Sequence, residues 1–177
     1  MMRLFVALAI PDAVTSSLAM IQSGVPGARW QTQEQMHLTL RFIGEVDGRD
    51  AAAIDDALSA ISAPVLSLQL KGVGEFGGSK PRALWAGVAP NEALLHLQRK
   101  VETAMQRIGL EAEPRKFTPH VTLARLRRTP PGAVMDYLVD HALYATAPFE
   151  TRAFILYESQ LGPNGSLYVP QRSYALR

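Results

Sequence analysis

The chain has 177 residues, of which 47% are hydrophobic and 19% charged, and it carries a net charge of +2 at pH 7. That balance suits one globular domain, or two small lobes sharing a core, and excludes an intrinsically disordered segment. With no cysteine in the chain, a disulfide framework, a thiolate metal site and a thiol nucleophile are excluded as well.

Leu4 to Ile10 reads as a buried strand. The apolar start is too short for a signal peptide, lacks a small-residue cleavage site and runs straight into Pro11-Asp12, which opens a helix to about Gln22. No run approaches the roughly 18 apolar residues that span a bilayer, and a cytoplasmic protein is expected. Gly24 and Pro26 end the first helix, and Trp30 falls in a short polar connection. A strand is predicted from about Met36 to Glu45, a helix from Arg49 to Ile61 and a strand from Val65 to Leu70. The glycine-rich stretch from Gly72 to Gly78 reads as a flexible hairpin connection or cleft rim, without the spacing of a phosphate-binding loop.

A strand around Arg82 to Ala89 leads to Asn91, which caps a helix to about Ile108, stopped by Gly109. Phe117-Thr118-Pro119 enters a further strand, and Pro130-Pro131-Gly132 precedes a helix from Ala133 to Leu143. Phe149 to Ser159 and Leu167 to Leu176 are strands joined at Gly162-Pro163-Asn164-Gly165. No linker or low-complexity segment interrupts this order. Residues 1–177 read as one α+β unit made of two related halves.

Two stretches carry the chemistry. His37-Leu38-Thr39-Leu40 and His120-Val121-Thr122-Leu123 share one pattern and stand 83 residues apart. In a strand, alternate side chains point to opposite faces, so each stretch buries its aliphatic residues and presents an imidazole and a hydroxyl together. β-Propensity alone accounts for one such threonine, but not for two matched histidines. An imidazole titrates near neutrality, so one of the pair is able to accept a proton while the other donates one. Opening a strained cyclic phosphodiester needs those two roles on opposite sides of phosphorus. Threonine hydroxyls are suited to holding the non-bridging oxygens.

The basic residues point the same way. Fourteen of the 18 are arginines, and Arg115 to Arg128 contains five basic residues and no acid. Guanidinium forks match phosphate oxygens. Strict alternation turns Arg125 toward the core, so either the strand ends or bulges there, or the side chain reaches phosphate from the rim. Arg41 shares the His37 face on the same alternation, or balances Glu45 or another acid. His96 and His141 read as structural. No pair of histidines has metal-ligand spacing and neither motif contains an acid, so no metal and no cofactor is expected.

With Met36-His37-Leu38-Thr39-Leu40-Arg41-Phe42, Pro81-Arg82-Ala83-Leu84-Trp85 and Phe117-Thr118-Pro119-His120-Val121-Thr122 in this order, the chain resembles the 2H phosphoesterase superfamily. More closely it is similar to the LigT-like RNA 2′,3′-cyclic phosphodiesterases. The resemblance implies a bilobal α+β fold with a pseudo-twofold duplication, two antiparallel sheets facing a central cleft and helices outside. It implies metal-free hydrolysis of RNA 2′,3′-cyclic phosphate ends to 2′-phosphomonoesters by a monomer. His37 would donate and His120 accept the proton, with Thr39, Thr122 and Arg125 on the phosphate, although the near-symmetric motifs give no physical reason for that order. Phe5 would either stack on a base or belong to the core. The implied partners are RNA ends or nucleotides carrying a cyclic phosphate. The alternative is a non-catalytic RNA-end or nucleotide-binding module of the same fold.

Overall fold

A computed structural model describes all 177 residues. In chain order the elements are β1 (Met2–Ala9), α1 (Asp12–Ala19), β2 (Ala28–Trp30), a short 3-10 turn (Gln33–Gln35), β3 (His37–Val46), α2 (Gly48–Ser59), β4 (Leu66–Leu68), β5 (Leu70–Phe76), β6 (Ala83–Val88), α3 (Glu92–Arg107), β7 (His120–Leu126), α4 (Pro131–Asp140), β8 (Phe149–Thr151), β9 (Ala153–Gly162) and β10 (Gly165–Ala175). The helix starts are those expected from side-chain capping. Asp47 accepts the Asp50 N–H at 2.8 Å and Asn91 accepts the Leu94 N–H at 2.9 Å. Helix α1 stops at Ala19, one turn earlier than the sequence suggests.

The strands are antiparallel throughout. Strands β10-β9-β1-β3 form one half and β7-β6-β5 the other, with β2 also on β7, while β4 and β8 make a separate pair. Between the halves, β3 and β7 meet at a single residue pair, Leu38 with Val121. Beyond it the edge of β7 passes to β2, which pairs along Ala28–Trp30. The motif strands thus touch at their first turns and carry the two halves away from each other.

One face of this arrangement carries the main core of 33 buried residues. Leu4, Val6 and Leu8 of β1, Leu38 and Leu40 of β3, and Val121 and Leu123 of β7 pack there against Ile54 and Leu58 of α2 and Leu94, Leu97, Val101 and Met105 of α3. The opposite face is lined by a smaller group, Phe5, Ala7 and Tyr157. Helices cover one side and the other side is left for ligand. No helix is long and apolar enough to cross a membrane.

Three expectations change. Trp30 does not lie in a connection: it belongs to β2, packs on the main core and stands 6.0 Å from the Tyr137 ring. A three-residue strand is too short to show periodicity. Much of the glycine-rich stretch is strand β5, not a loop. Gly74 is required there because a Cβ would lie 2.3 Å from the Trp85 ring packed over it. Arg41, finally, does not share the His37 face. Val6 pairs with Arg41 and Ala7 with Thr39, so Leu40 is an extra residue in β3. This β-bulge turns Arg41 toward α3. There its Nε donates to Glu102 at 2.5 Å, its Nη1 to the Phe42 carbonyl at 2.7 Å and its Nη2 to the Glu111 carbonyl.

Burial works to raise the Glu102 carboxyl, but Arg41, the Glu113 N–H and Gln106 together hold it below its ordinary value. A carboxylate depressed in the folded state stabilises fully above the ordinary carboxylate range and loses that contribution as pH falls through the folded value. Arg41 is 7% exposed, so removing it strands the acid. Arg41→Ala is expected to cost about 3 kcal/mol in urea unfolding at neutral pH. Its penalty should shrink as the pH is lowered through the carboxylate range, where Glu102 becomes neutral in both proteins.

Candidate active site

The contact between Leu38 and Val121 sets the geometry of the site. Both residues are fully buried, and in antiparallel register they set His37 opposite Thr122 and Thr39 opposite His120. All four polar side chains therefore share the face away from the core. The two histidines occupy diagonal positions, a relation in which neighbours across a strand pair stand about 7–8 Å apart and their Cβ atoms somewhat closer. That spacing leaves room between the imidazoles for one small anionic group.

Each imidazole is oriented in the same way. His37 Nδ1–H donates to the Gln35 carbonyl at 3.1 Å, and His120 Nδ1–H donates to the Thr118 carbonyl at 2.6 Å. The acceptor lies two residues upstream in both cases. A carbonyl only accepts, so each Nδ1 carries a proton and each Nε2 is the free nitrogen. The HxT pattern itself contains neither carbonyl.

Aromatic rings wall both imidazoles. Around His37 stand Tyr157 at 4.5 Å, Tyr168 at 5.3 Å and Phe5 at 6.1 Å, and around His120 stand Phe76 at 5.0 Å and Trp85 at 5.8 Å. Burial pushes both imidazoles below their ordinary pKa, and the carbonyl each ring bonds works in the opposite direction. Both histidines are thereby biased toward the neutral form in the free protein. Phe5 is 4% exposed and stacked on Tyr157 at 5.2 Å. It packs among His37, Phe42, Tyr157 and Tyr168 at the floor of the cleft, which fits a core role better than stacking on a base.

A cleft of about 430 Å³ opens over this face, within the range of small-ligand sites. His37, Thr39, Thr122 and Arg125 line it. His120 is not in the cavity wall; it stands beyond Thr122 on the same face of β7, between Phe76 and Trp85. Arg125 reaches the cleft through a bulge, one of the alternatives open from sequence. Leu84 pairs with Ala124 and Trp85 with Thr122, which leaves Leu123 as an extra residue. The bulge at Leu123 repeats the bulge at Leu40, so Arg125 and Phe42 are equivalent positions of the two strands. Phe42 is 57% exposed and also lines the cleft. Arg3, Arg115, Gln31, Gln35, Ser159, Ser166 and Tyr168 complete most of the wall, and no acid is among its residues. Sequence reasoning passed over Phe42, Tyr168 and the polar residues Gln31 and Gln35, whose placement depends on the bulge and on β10. His96 and His141 lie outside the cleft, as expected.

Comparison with known proteins places this arrangement. The family model of the 2′-5′ RNA ligase superfamily matches residues 11–162. A protein of Archaeoglobus fulgidus named RNA 2′,3′-cyclic phosphodiesterase is 31% identical, over 98% of this chain and 99% of its own. Among solved structures, a Thermus thermophilus protein superimposes with a TM-score of 0.84 at 25% identity, over 99% of this chain and 98% of that one. Escherichia coli LigT in complex with 3′-AMP gives 0.80 at 25% identity with the same coverage. With paired His-x-Thr motifs on one face of the sheet and a family match over most of its length, the chain belongs to the 2′-5′ RNA ligase superfamily, the 2H phosphoesterases.

Proposed function

We propose that this chain hydrolyses RNA 2′,3′-cyclic phosphate ends to 2′-phosphomonoesters by acid–base exchange between His37 and His120, without a metal. The observation that carries the reading is the paired Nδ1–H bond to a carbonyl two residues upstream. It leaves two Nε2 atoms on one face, at diagonal positions, with hydroxyls and a guanidinium around them. Relatives of similar length named for this activity support it.

In the reaction one neutral Nε2 takes a proton from water as the water oxygen attacks phosphorus. The bond from phosphorus to the 3′ oxygen breaks, and the other imidazole, as imidazolium, gives its Nε2 proton to that oxygen. Thr39, Thr122 and Arg125 hold the non-bridging oxygens, where charge is greatest in the transition state. Substrate supplies the second protonation state. Both imidazoles favour neutrality in the free protein, and a phosphate anion between them raises their pKa, so binding charges one of them. The family resemblance makes His37 the donor and His120 the acceptor, whereas the hydrogen bonding is alike for both. Both histidines come from one chain, so a monomer suffices.

His37→Ala and His120→Ala are each expected to lower kcat by 10²–10⁴, with much smaller effects on product affinity. A non-catalytic binding module would show no turnover in the wild type and comparable affinity losses in the two variants.

The kcat/KM profile against pH should be bell-shaped, with its optimum on the acid side of the ordinary imidazole value, because burial lowers both groups. The kcat optimum should lie higher, because bound phosphate raises them. An optimum for kcat/KM above the ordinary imidazole value would contradict the site as described.

No three His, Asp or Glu side chains converge in this chain, and activity is expected to be unchanged after dialysis against EDTA. Loss of turnover that a divalent ion restores would refute the metal-free reading.

A further inference from the structure

The cross-strand partner of Arg125 is a second arginine. Strand β2 pairs with β7 so that Arg29 lies directly opposite Arg125. Directly opposed side chains share a face, so both guanidinium groups project from the cleft side while Ala28 and Trp30 pack on the main core. Like charges in that position repel and destabilise the pair. Neither is neutralised within the protein. The ion pairs of the chain are Arg41–Glu102, Arg115–Glu113, Arg152–Glu150 and Arg172–Asp55.

Arg29 also reaches the cleft mouth. Its Nη2 lies 2.9 Å, and Gln35 Nε2 3.5 Å, from the point a Cβ on Gly165 would occupy. Gln35 Nε2 donates to the Ser166 carbonyl at 2.9 Å, and Gln35 and Ser166 both line the cleft. Arg29 itself is outside the cavity wall. It stands beside Arg125 on the β7 edge that also meets β3. An exposed cross-strand pair of cations without an acid, at the open end of an acid-free cleft, is arranged for a second anion.

We propose that Arg29 binds the phosphodiester linking the terminal nucleotide to the one before it, so that the preferred substrate is an RNA chain of at least two nucleotides and not a cyclic mononucleotide. This rests on the hydrolytic reading above. Arg125 serves the cyclic phosphate, and Arg29 serves the next phosphate along the strand. With one phosphate at each guanidinium, the repulsion between the two cations is offset. Arg29 touches no reacting atom and acts on specificity alone.

The test compares a 2′,3′-cyclic mononucleotide with a dinucleotide ending in the same cyclic phosphate, using wild type, Arg29→Gln and Arg29→Lys. Wild type is expected to prefer the dinucleotide. Arg29→Gln should lower kcat/KM for the dinucleotide about tenfold, mainly through KM, the usual size of one charge-assisted hydrogen bond. It should leave the mononucleotide unchanged, and Arg29→Lys should keep most of the preference. The slope of log(kcat/KM) against log salt for the dinucleotide should become shallower by about 0.7 in Arg29→Gln, one single-strand phosphate. Because the opposed charges repel, the Tm of Arg29→Gln should be equal to or above that of wild type. Equal losses on both substrates, or no loss on either, would overturn the assignment of Arg29 while leaving the hydrolytic reading in place. Absence of turnover of both substrates by wild type would overturn both.

Discussion

The site depends on one antiparallel contact, Leu38 against Val121. It is the only residue pair joining β3 to β7, and it lies at the same position of both motifs. A local twofold through this pair exchanges the motifs, which is why each histidine faces the other strand's threonine. The aliphatic residues on either side are buried, so the pair is held from the core side by the helices. The polar residues have no choice but the opposite face. A slip of one residue in either strand would bury a histidine and expose a leucine.

The symmetry of residue type ends one residue past each motif. Both strands carry a bulge at the leucine after the threonine, and each bulge returns the second residue after it to the cleft. In one strand that residue is Arg125, a cation on the cleft wall. In the other it is Phe42, an exposed ring. The residues turned inward differ as well: Arg41 is buried on Glu102, and Ala124 is simply buried. A symmetric scaffold thus presents an asymmetric pair of surfaces. The electrostatics are consistent with an anionic ligand, since the cleft has three arginines and no acid in its wall. Burial lowers the pKa of both imidazoles. The neighbouring Arg125 is not the cause of that shift.

Apart from β5, the elements longer than six residues were legible from the sequence because periodicity, capping residues and glycine stops agreed with one another. The motif residues were legible because alternation in a strand is a short-range rule that needs no knowledge of the partner strand. What escaped was decided by pairing. Trp30 became strand because β7 had a free edge next to it. Gly72 and Gly74 became strand because Trp85 lies over Gly74 and a register shift occurs between Leu70 and Val73. Arg41 changed faces because of an inserted residue that alternation cannot reveal. The carbonyls of Gln35 and Thr118, which set the tautomer of each histidine, are backbone groups and leave no mark in composition. The aromatic walls are assembled from β1, β5, β6, β9 and β10, elements distant in sequence.

The central claim is that both imidazoles present a free Nε2 to one anion. Long-range ¹H–¹⁵N spectra of the ¹⁵N-labelled protein measure it directly, since they report the tautomer of each histidine and its response to ligand. At a pH where both rings are neutral, His37 and His120 are predicted to carry their proton on Nδ1. Addition of a nucleoside 2′-monophosphate is predicted to shift both resonances and raise the pKa of both rings, with His96 and His141 unaffected. An Nε2–H tautomer at either site, or a response confined to one of the two rings, would contradict the account.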